Sequence, residues 1–303
     1  FELREAGRSK RTPNPNSKNL LDGEIVRNEN GSPVKVPGMF KDVKGIGWYV
    51  DIYNRAQISI NFNNFKVSTI HDVFDAACIL ANERGIRVTG SELVGLIPLE
   101  AMLMAGRHYL NKQNRSLGVP TADIVECAVQ SLGLNDVTEF DPNVKIIDYA
   151  VQSEDRPLMN LVGKEFVEEL STNSPAPGGG SVSALVGALG AALSSMVAAL
   201  SHEKKELLDL KPEMNEIGIE AQKLKDRLSF LVDEDTNAFN KVMDANRLSA
   251  TNDEEQSAKN QAIEIANKYA IEIPLETAKK CFHVIELADT LVEKGNPNSV
   301  SDA

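Results

Sequence analysis

The stretch that most restricts how this chain folds is an uncharged run, Val182 to Leu200, entered through Ser174-Pro-Ala-Pro-Gly-Gly-Gly-Ser181. Its smallest residues recur one turn apart, at Gly187, Ala191 and Ser195 and again at Gly190, Ser194 and Ala198, so other helices can approach its backbone closely. A run of this length also reads as a membrane span on a hydropathy scan. Alanine, glycine and serine insert weakly, the run carries no aromatic belt, and Glu168, Glu169 and His202-Glu-Lys-Lys-Glu206 flank it with charge. The expectation is therefore a core helix of a soluble bundle, with no membrane span. Ahead of it, Pro177, Gly178, Gly179 and Gly180 place backbone N–H groups where no Cβ intrudes, and Ser181 is positioned to cap the helix. Such a turn suits an anion or a polar ring, although many helices simply start after Gly or Ser.

The 303 residues suffice for two domains with separate cores. A net charge of −12 argues against a broad footprint for nucleic acid or anionic membrane, while leaving room for a local basic patch. Cys78, Cys127 and Cys281 are far apart and lack metal-ligand spacing, so they read as reduced core thiols of a cytoplasmic protein. No other His, Cys or carboxylate cluster has ligand spacing either, and no metal is expected. No targeting or lipidation signal opens the chain. It begins on Phe1-Glu-Leu-Arg-Glu-Ala-Gly-Arg8, which reads as the end of a helix, and stops at Asn296-Pro-Asn-Ser-Val-Ser-Asp-Ala303; a segment cut at both ends is expected.

Taken in order, Glu24 to Arg27 and Pro33 to Val36 around Asn30-Gly31 form a surface hairpin. Ile46 to Val50 and Ala56 to Phe62 are strands of a half-buried sheet, the second with Ile58, Ile60 and Phe62 on one face and Gln57, Ser59 and Asn61 on the other. A helix over 69–84 leads to a short strand, Ile86 to Thr89, and then to Gly90-Ser-Glu-Leu-Val-Gly-Leu-Ile-Pro98, which opens another helix. Ser91 and Glu92 would sit at the mouth of that strand–turn–helix unit, or merely support the helix start. A helix over 121–132 and a connector over 141–150 come next. The polar Gln152 to Pro157 breaks the chain, and the remainder reads as helix: 160–171, the small-residue helix, 211–248, 253–271 and 274–294. The fold class is thus two domains, an α+β sandwich (a mixed sheet with helices) over 1–150, a linker over 151–158 and an all-α helical bundle over 159–303.

Within 211–248, Leu224, Leu228, Leu231, Ala238 and Val242 mark a buried stripe. At 100° per residue Asp235 completes it, within roughly 20° of Leu224 and Val242, whereas Asp233 points to the opposite side. A carboxylate aimed into an apolar bundle costs several kcal/mol unless paired or facing a cavity, and burial tunes it toward proton transfer. Asp235 is therefore the catalytic candidate, against the alternative of a satisfied buried polar residue.

These motifs carry a resemblance. Asn173 to Val182, Gly187-Ala-Leu-Gly-Ala-Ala-Leu193, Leu231-Val-Asp-Glu-Asp-Thr-Asn-Ala-Phe239, Ile273-Pro-Leu275 and Gly295-Asn296 with Ser301-Asp302 resemble the cyclodeaminase domain of the formimidoyltransferase-cyclodeaminase family. Gly45-Ile-Gly-Trp-Tyr49, Ala56-Gln-Ile-Ser-Ile-Asn61 and Gly90 to Pro98 are similar to the C-terminal subdomain of its transferase part, and only residues 10–40 look longer than the family's linker. The resemblance implies tetrahydrofolate as carrier substrate. The transferase moves a formimino group from N-formimino-L-glutamate to N5, and the cyclodeaminase closes the product to 5,10-methenyltetrahydrofolate with loss of ammonia. It implies Asp235 as the acid–base group and a homo-oligomer. It also implies folate contacts from Pro177, Gly178, Gly179, Gly180, Ser181, Asn296, Ser301 and Asp302, and a transferase tunnel lined by Gln57, Ser59, Asn61 and Glu92. None of His71, His108, His202 and His283 matches the transferase's catalytic histidine. Two other readings stand beside this one: a methenyltetrahydrofolate cyclohydrolase on the same fold, and a helical oligomerisation module without chemistry.

Overall fold

Three long helices account for most of the second half, and only the last opens on a capping side chain, Asn252. A computed structural model of the chain describes residues 2–17, 22–151 and 156–303. The small-residue run becomes a helix over Gly179–Glu203, succeeded by a 3-10 turn over Lys205–Leu210 and helices over Lys211–Arg247 and Asp253–Lys294. In chain order the helices are α1 (Ile70–Asn82), α2 (Leu99–Lys112), α3 (Thr121–Leu132), the single turns α4 (Pro142–Lys145) and α5 (Ile147–Ala150), α6 (Gly163–Leu170), α7 (Gly179–Glu203), α8 (Lys211–Arg247) and α9 (Asp253–Lys294). The strands are β1 (Val43–Val50) and β2 (Arg55–Phe62).

The chain divides into two units: Phe1–Tyr109 with Ile124–Val151, and Leu110–Asp123 with Gln152–Ala303. In place of one boundary near residue 150, the chain crosses between units three times. Half of the expected linker, 152–155, lies outside the described residues.

In the first unit β1 and β2 pair antiparallel, with Trp48 opposite Gln57 and Ile46 opposite Ser59. The mixed sheet expected there is absent among the described residues. Ile86 to Thr89 finds no strand among them to bond and runs as a connector, and the one parallel pairing is an isolated bridge between Ile97 and Ile146. A two-stranded ribbon covers little of its own surface, so Ile46, Trp48, Tyr49 and Ile58 are exposed rather than half-buried. The expected hairpin at 24–36 is joined by a third extended segment. Lys10 donates its N–H to Val34 (2.7 Å), Val34 to Val26 (2.9 Å) and Val26 back to Lys10 (2.9 Å). Residues 3–6 form bends, and 2–8 hold no helix end. The unit's core gathers Ile97, Met102, Ala105, Val125, Val129 and Ile146 from α2, α3 and the segments flanking them.

The second unit is built around α7, whose small face (Ala184, Gly187, Ala188, Ala191, Ser194, Ser195, Ala198) is buried. Leu224, Leu228 and Leu231 of α8 and Val284 of α9 join that core. By length and composition α7 is apolar enough to cross a membrane. Two sequence expectations change. α9 is one helix rather than two, with Pro274 inside it and Ile273 and Thr277 buried on either side; proline removes one hydrogen bond, but burial of the flanking turns holds the helix together. Ser181 does not cap α7, because the helix begins two residues earlier with Gly178 at the N-cap and no capping side chain of its own.

The segment 110–123 seats against α7 and α8. Ser195 donates to the Gly118 carbonyl (3.1 Å), Gln222 donates to Ser195 Oγ (2.8 Å), and the Leu117 N–H reaches Asn215 Oδ1 (2.9 Å). At the contact Gly118 meets Gly218 so closely that a Cβ at 118 would lie 2.5 Å from the Gly218 Cα. Part of α7's small-residue pattern thus accommodates a loop rather than another helix.

Candidate functional site: a carboxylate on the glycine turn

Three consecutive carboxylates on α8 reach three different partners. Asp233 is buried and accepts the N–H groups of Leu158 (2.8 Å) and Met159 (3.3 Å), fixing the segment that leads into α6. Glu234 turns to α9, where the Tyr269 hydroxyl donates to it and the Lys241 ammonium lies 3.5 Å away. Burial pushes the Glu234 carboxyl up, but the bonds from Tyr269 and Asn237 and the Lys241 charge outweigh it and hold it below the ordinary range. On Tyr269, burial and then the Glu234 bond push the phenol up to about 12.

Asp235 faces the glycine turn. Its Oδ2 accepts the Ser181 N–H at 3.0 Å and the Ser181 hydroxyl at 3.4 Å, and that hydroxyl also lies 3.4 Å from Thr236 Oγ1. A Cβ at Gly180 would collide with the carboxylate, whereas a Cβ at Gly179 would meet nothing within 4 Å and one at Gly178 only the Pro175 carbonyl at 3.9 Å. The turn therefore has a closed side packed on Asp235 and an open side bounded by Gly178 and Gly179, with Pro177 entering through a cis peptide bond. An Asp235 oxygen on the Ser181 N–H, in the first turn of α7, supplies a cap the helix lacks, where the macrodipole favours negative charge.

Both aspartates depart from the sequence picture. Asp235 is half-buried at the end of α7, not sunk in the apolar core, and Asp233 is the buried one. The wheel sets the direction of each side chain, but where the covering helix stops decides its burial.

The expected folate contacts do not gather at one place. Asn296 donates its N–H to Ser201 Oγ (2.8 Å) at the far end of α7, and its side chain caps the 3-10 turn Pro297–Ser299. At 1.5 Å per residue Ser201 lies about 30 Å along the helix from Ser181. Ser301 and Asp302, both exposed, belong to that far end, and the Asp302 N–H bonds the Ser299 carbonyl. Within one chain these three residues cannot touch what the glycine turn touches.

In the first unit, Gln57 donates to Glu92 Oε1 at 2.6 Å, which joins two of the four tunnel candidates, with Ser59 half-buried and Asn61 exposed on the same ribbon face. Ser91 is committed elsewhere, its hydroxyl and N–H bonding the Leu132 and Gly133 carbonyls. No spacing in the sequence signals a cluster between α1 and α2. His71 and His108 stack at 4.4 Å with their planes 29° apart, and Asp75 bonds both His108 (3.1 Å) and the Tyr109 hydroxyl (3.2 Å). Burial, then the neighbouring His108, lowers His71. His71, Asp72 and His108 place ligand atoms within 4.8 Å of one another. Cys78, Cys127 and Cys281 are half-buried and form no disulfide among the described residues.

Comparison with known proteins gives this geometry a family. The family described as "Formiminotransferase domain" matches residues 1–152, and "Formiminotransferase-cyclodeaminase" matches 163–303. A formimidoyltransferase-cyclodeaminase of Dictyostelium discoideum is 41% identical over 254 residues, covering 83% of this chain and 46% of that protein. The Mus musculus protein of that name is 34% identical over 276 residues, covering 90% and 51%. A methenyltetrahydrofolate cyclohydrolase of Methylorubrum extorquens is 38% identical over 138 residues, covering 46% of this chain and 66% of that protein. A solved formiminotetrahydrofolate cyclodeaminase from Thermotoga maritima aligns at TM-score 0.42 and 32% identity, covering 47% of this chain and 67% of that one. The chain spans about half the length of the formimidoyltransferase-cyclodeaminases it matches. Matched by a transferase family over one half and a cyclodeaminase family over the other, the chain belongs to the formimidoyltransferase-cyclodeaminase family.

Proposed function

We propose that the second half closes 5-formimino-tetrahydrofolate to 5,10-methenyltetrahydrofolate with release of ammonia, in the cytoplasm, and that Asp235 moves the proton. N10 of the folate attacks the carbon of the protonated amidine and gives its proton to the carboxylate, leaving an –NH2 group on that carbon; the C–N bond to this nitrogen then breaks as the same carboxylate returns the proton, and ammonia leaves the methenyl cation. Such general acid–base catalysis contributes about 10²- to 10⁴-fold. The observation that carries this reading is the Asp235 carboxylate seated on the glycine turn, with one oxygen bonded to Ser181 and the turn open at Gly178 and Gly179. The residues suit a folate as substrate, because the open side has room for a polar ring edge that backbone groups can meet. For the first half we propose a part in formimino transfer from N-formimino-L-glutamate to tetrahydrofolate, with the Gln57–Glu92 pair among its polar lining.

We propose also that the second half self-associates through α7. Val186, Leu189, Leu193, Met196 and Leu200 are exposed and recur in alternating steps of three and four residues, the spacing of a helix–helix seam. The seam is uncharged, so a second copy can meet it despite the chain's net charge of −12. Antiparallel pairing about Leu193 would set the Asn296 end of one copy beside the glycine turn of the other, which gives Asn296, Ser301 and Asp302 a route to the folate.

The test records methenyl-folate absorbance on adding 5-formimino-tetrahydrofolate to the wild type and to Asp235→Asn. Ring closure lost in the variant while folate binding survives supports the reading, and undiminished turnover overturns it. The similarity to a cyclohydrolase favours a second reading, hydrolysis of the methenyl bridge; consumption of methenyl-folate without any response to the formimino substrate would select it. A protein that binds no folate would be a helical oligomerisation module.

A further inference from the structure

We infer that Asp235 works through a single oxygen, Oδ1, and that Ser181 and Gly180 are positioning residues for that carboxylate rather than contacts for the folate. The inference rests on the reading of Asp235 as the proton-transfer group and says how that group is aimed. Oδ2 is occupied by the Ser181 N–H at 3.0 Å and its hydroxyl at 3.4 Å, whereas Oδ1 accepts no hydrogen bond from the described residues. Gly180 has the carboxylate packed on it with Oδ1 the nearest atom, so any side chain there would push Asp235 aside and cover the oxygen that exchanges the proton, while Gly179 next to it faces open space. Thr236, adjacent to Asp235, holds the Ser181 hydroxyl at 3.4 Å and limits its rotation. Two bonds to one oxygen fix the carboxylate plane and leave the other oxygen to exchange the proton. In the ring-closing step the N10 proton passes to Oδ1 as the N10–C bond forms, and passes from Oδ1 to the amine as the C–N bond breaks, so Asp235 ends as it began.

The four-residue turn is thereby divided by function. Gly178 and Gly179 meet the substrate; Gly180 and Ser181 hold the carboxylate. Steady-state ring closure on 5-formimino-tetrahydrofolate by Gly179→Ala, Gly180→Ala, Ser181→Ala and Asp235→Asn, with thermal unfolding and folate binding measured in parallel, tests this division. Gly180→Ala is expected to lower kcat by ~10²-fold, the loss that misplacing a catalytic group by about 1 Å produces, with KM little changed. Ser181→Ala, which keeps its N–H, should lower kcat less, and Gly179→Ala should raise KM by about tenfold or more, the effect of one methyl group in a fitted site. A raised KM with normal kcat in Gly180→Ala would overturn the inference, as would wild-type kcat in both Gly180→Ala and Ser181→Ala beside an inactive Asp235→Asn. Activity retained in Asp235→Asn would overturn the underlying reading instead. Should Gly180→Ala fail to fold, the kcat of Ser181→Ala decides.

Discussion

Asp233 and Leu158 are joined across 75 positions of sequence by a 2.8 Å hydrogen bond between a buried carboxylate oxygen and a backbone N–H. With the second bond to Met159, it fixes the chain's entry into the bundle two residues away from the carboxylate that meets the glycine turn. Neighbouring aspartates of one helix thus divide between holding the fold and facing the site, and stability separates them. Asp233→Ala leaves two amide groups without their acceptor, at about 1–3 kcal/mol each, and is expected to lower the urea midpoint of the second unit. Asp235→Asn keeps an acceptor for Ser181 and should shift the unfolding free energy by less than about 1 kcal/mol.

The contact between Gly118 and Gly218 allows no side chain. Gly118→Ala would place a Cβ 2.5 Å from the Gly218 Cα and 2.6 Å from its carbonyl carbon. Overpacking against backbone costs about 1–3 kcal/mol, and calorimetry should show the second unit melting earlier.

Two buried histidines set a pH dependence of stability. Burial, then the adjacent His108, lowers His71, while burial, then Lys211, lowers His202, both from an ordinary value of 6.5. The unfolded chain therefore binds these protons more tightly than the folded one. Their contribution is full above about pH 6.5 and is lost as the pH falls from there toward the depressed folded values. Denaturation midpoints measured from pH 8 to 5 should fall on the acid side, and His71→Asn and His202→Asn should each flatten the decline.

The seam on α7 predicts how self-association fails. Leu193→Glu puts a charge at its centre on an exposed position, so monomer stability should change by less than about 0.5 kcal/mol. Sedimentation velocity should show the variant shifted toward monomer; an unchanged sedimentation coefficient would remove α7 as the interface.

Elements whose pattern is local were legible in the sequence. Thr121–Leu132 and the span of α8 could be read from helical periodicity, and the glycine turn from its composition. Features set by a distant neighbour were not legible. Ile86 to Thr89 has strand chemistry but no partner strand among the described residues, and Pro274 signals a helix end that buried turns on both sides override. Periodicity placed Asp235 beside the leucine stripe, yet nothing in α8 says that α7 begins opposite it and leaves it half-covered. The motif places Asn296, Ser301 and Asp302 at the folate site, and the length of α7 separates them from the glycine turn.

Residues 110–123 lie in sequence among the helices of the first unit and in space within the second. A gene trimmed to residues 156–303 would encode α6 to α9 but not the segment whose Leu117 amide and Gly118 carbonyl meet Asn215 and Ser195. The bundle's autonomy is therefore borrowed. A free-standing version would have to adapt Ser195, Gln222 and Gly218 to water, or recruit another peptide to lie between α7 and α8.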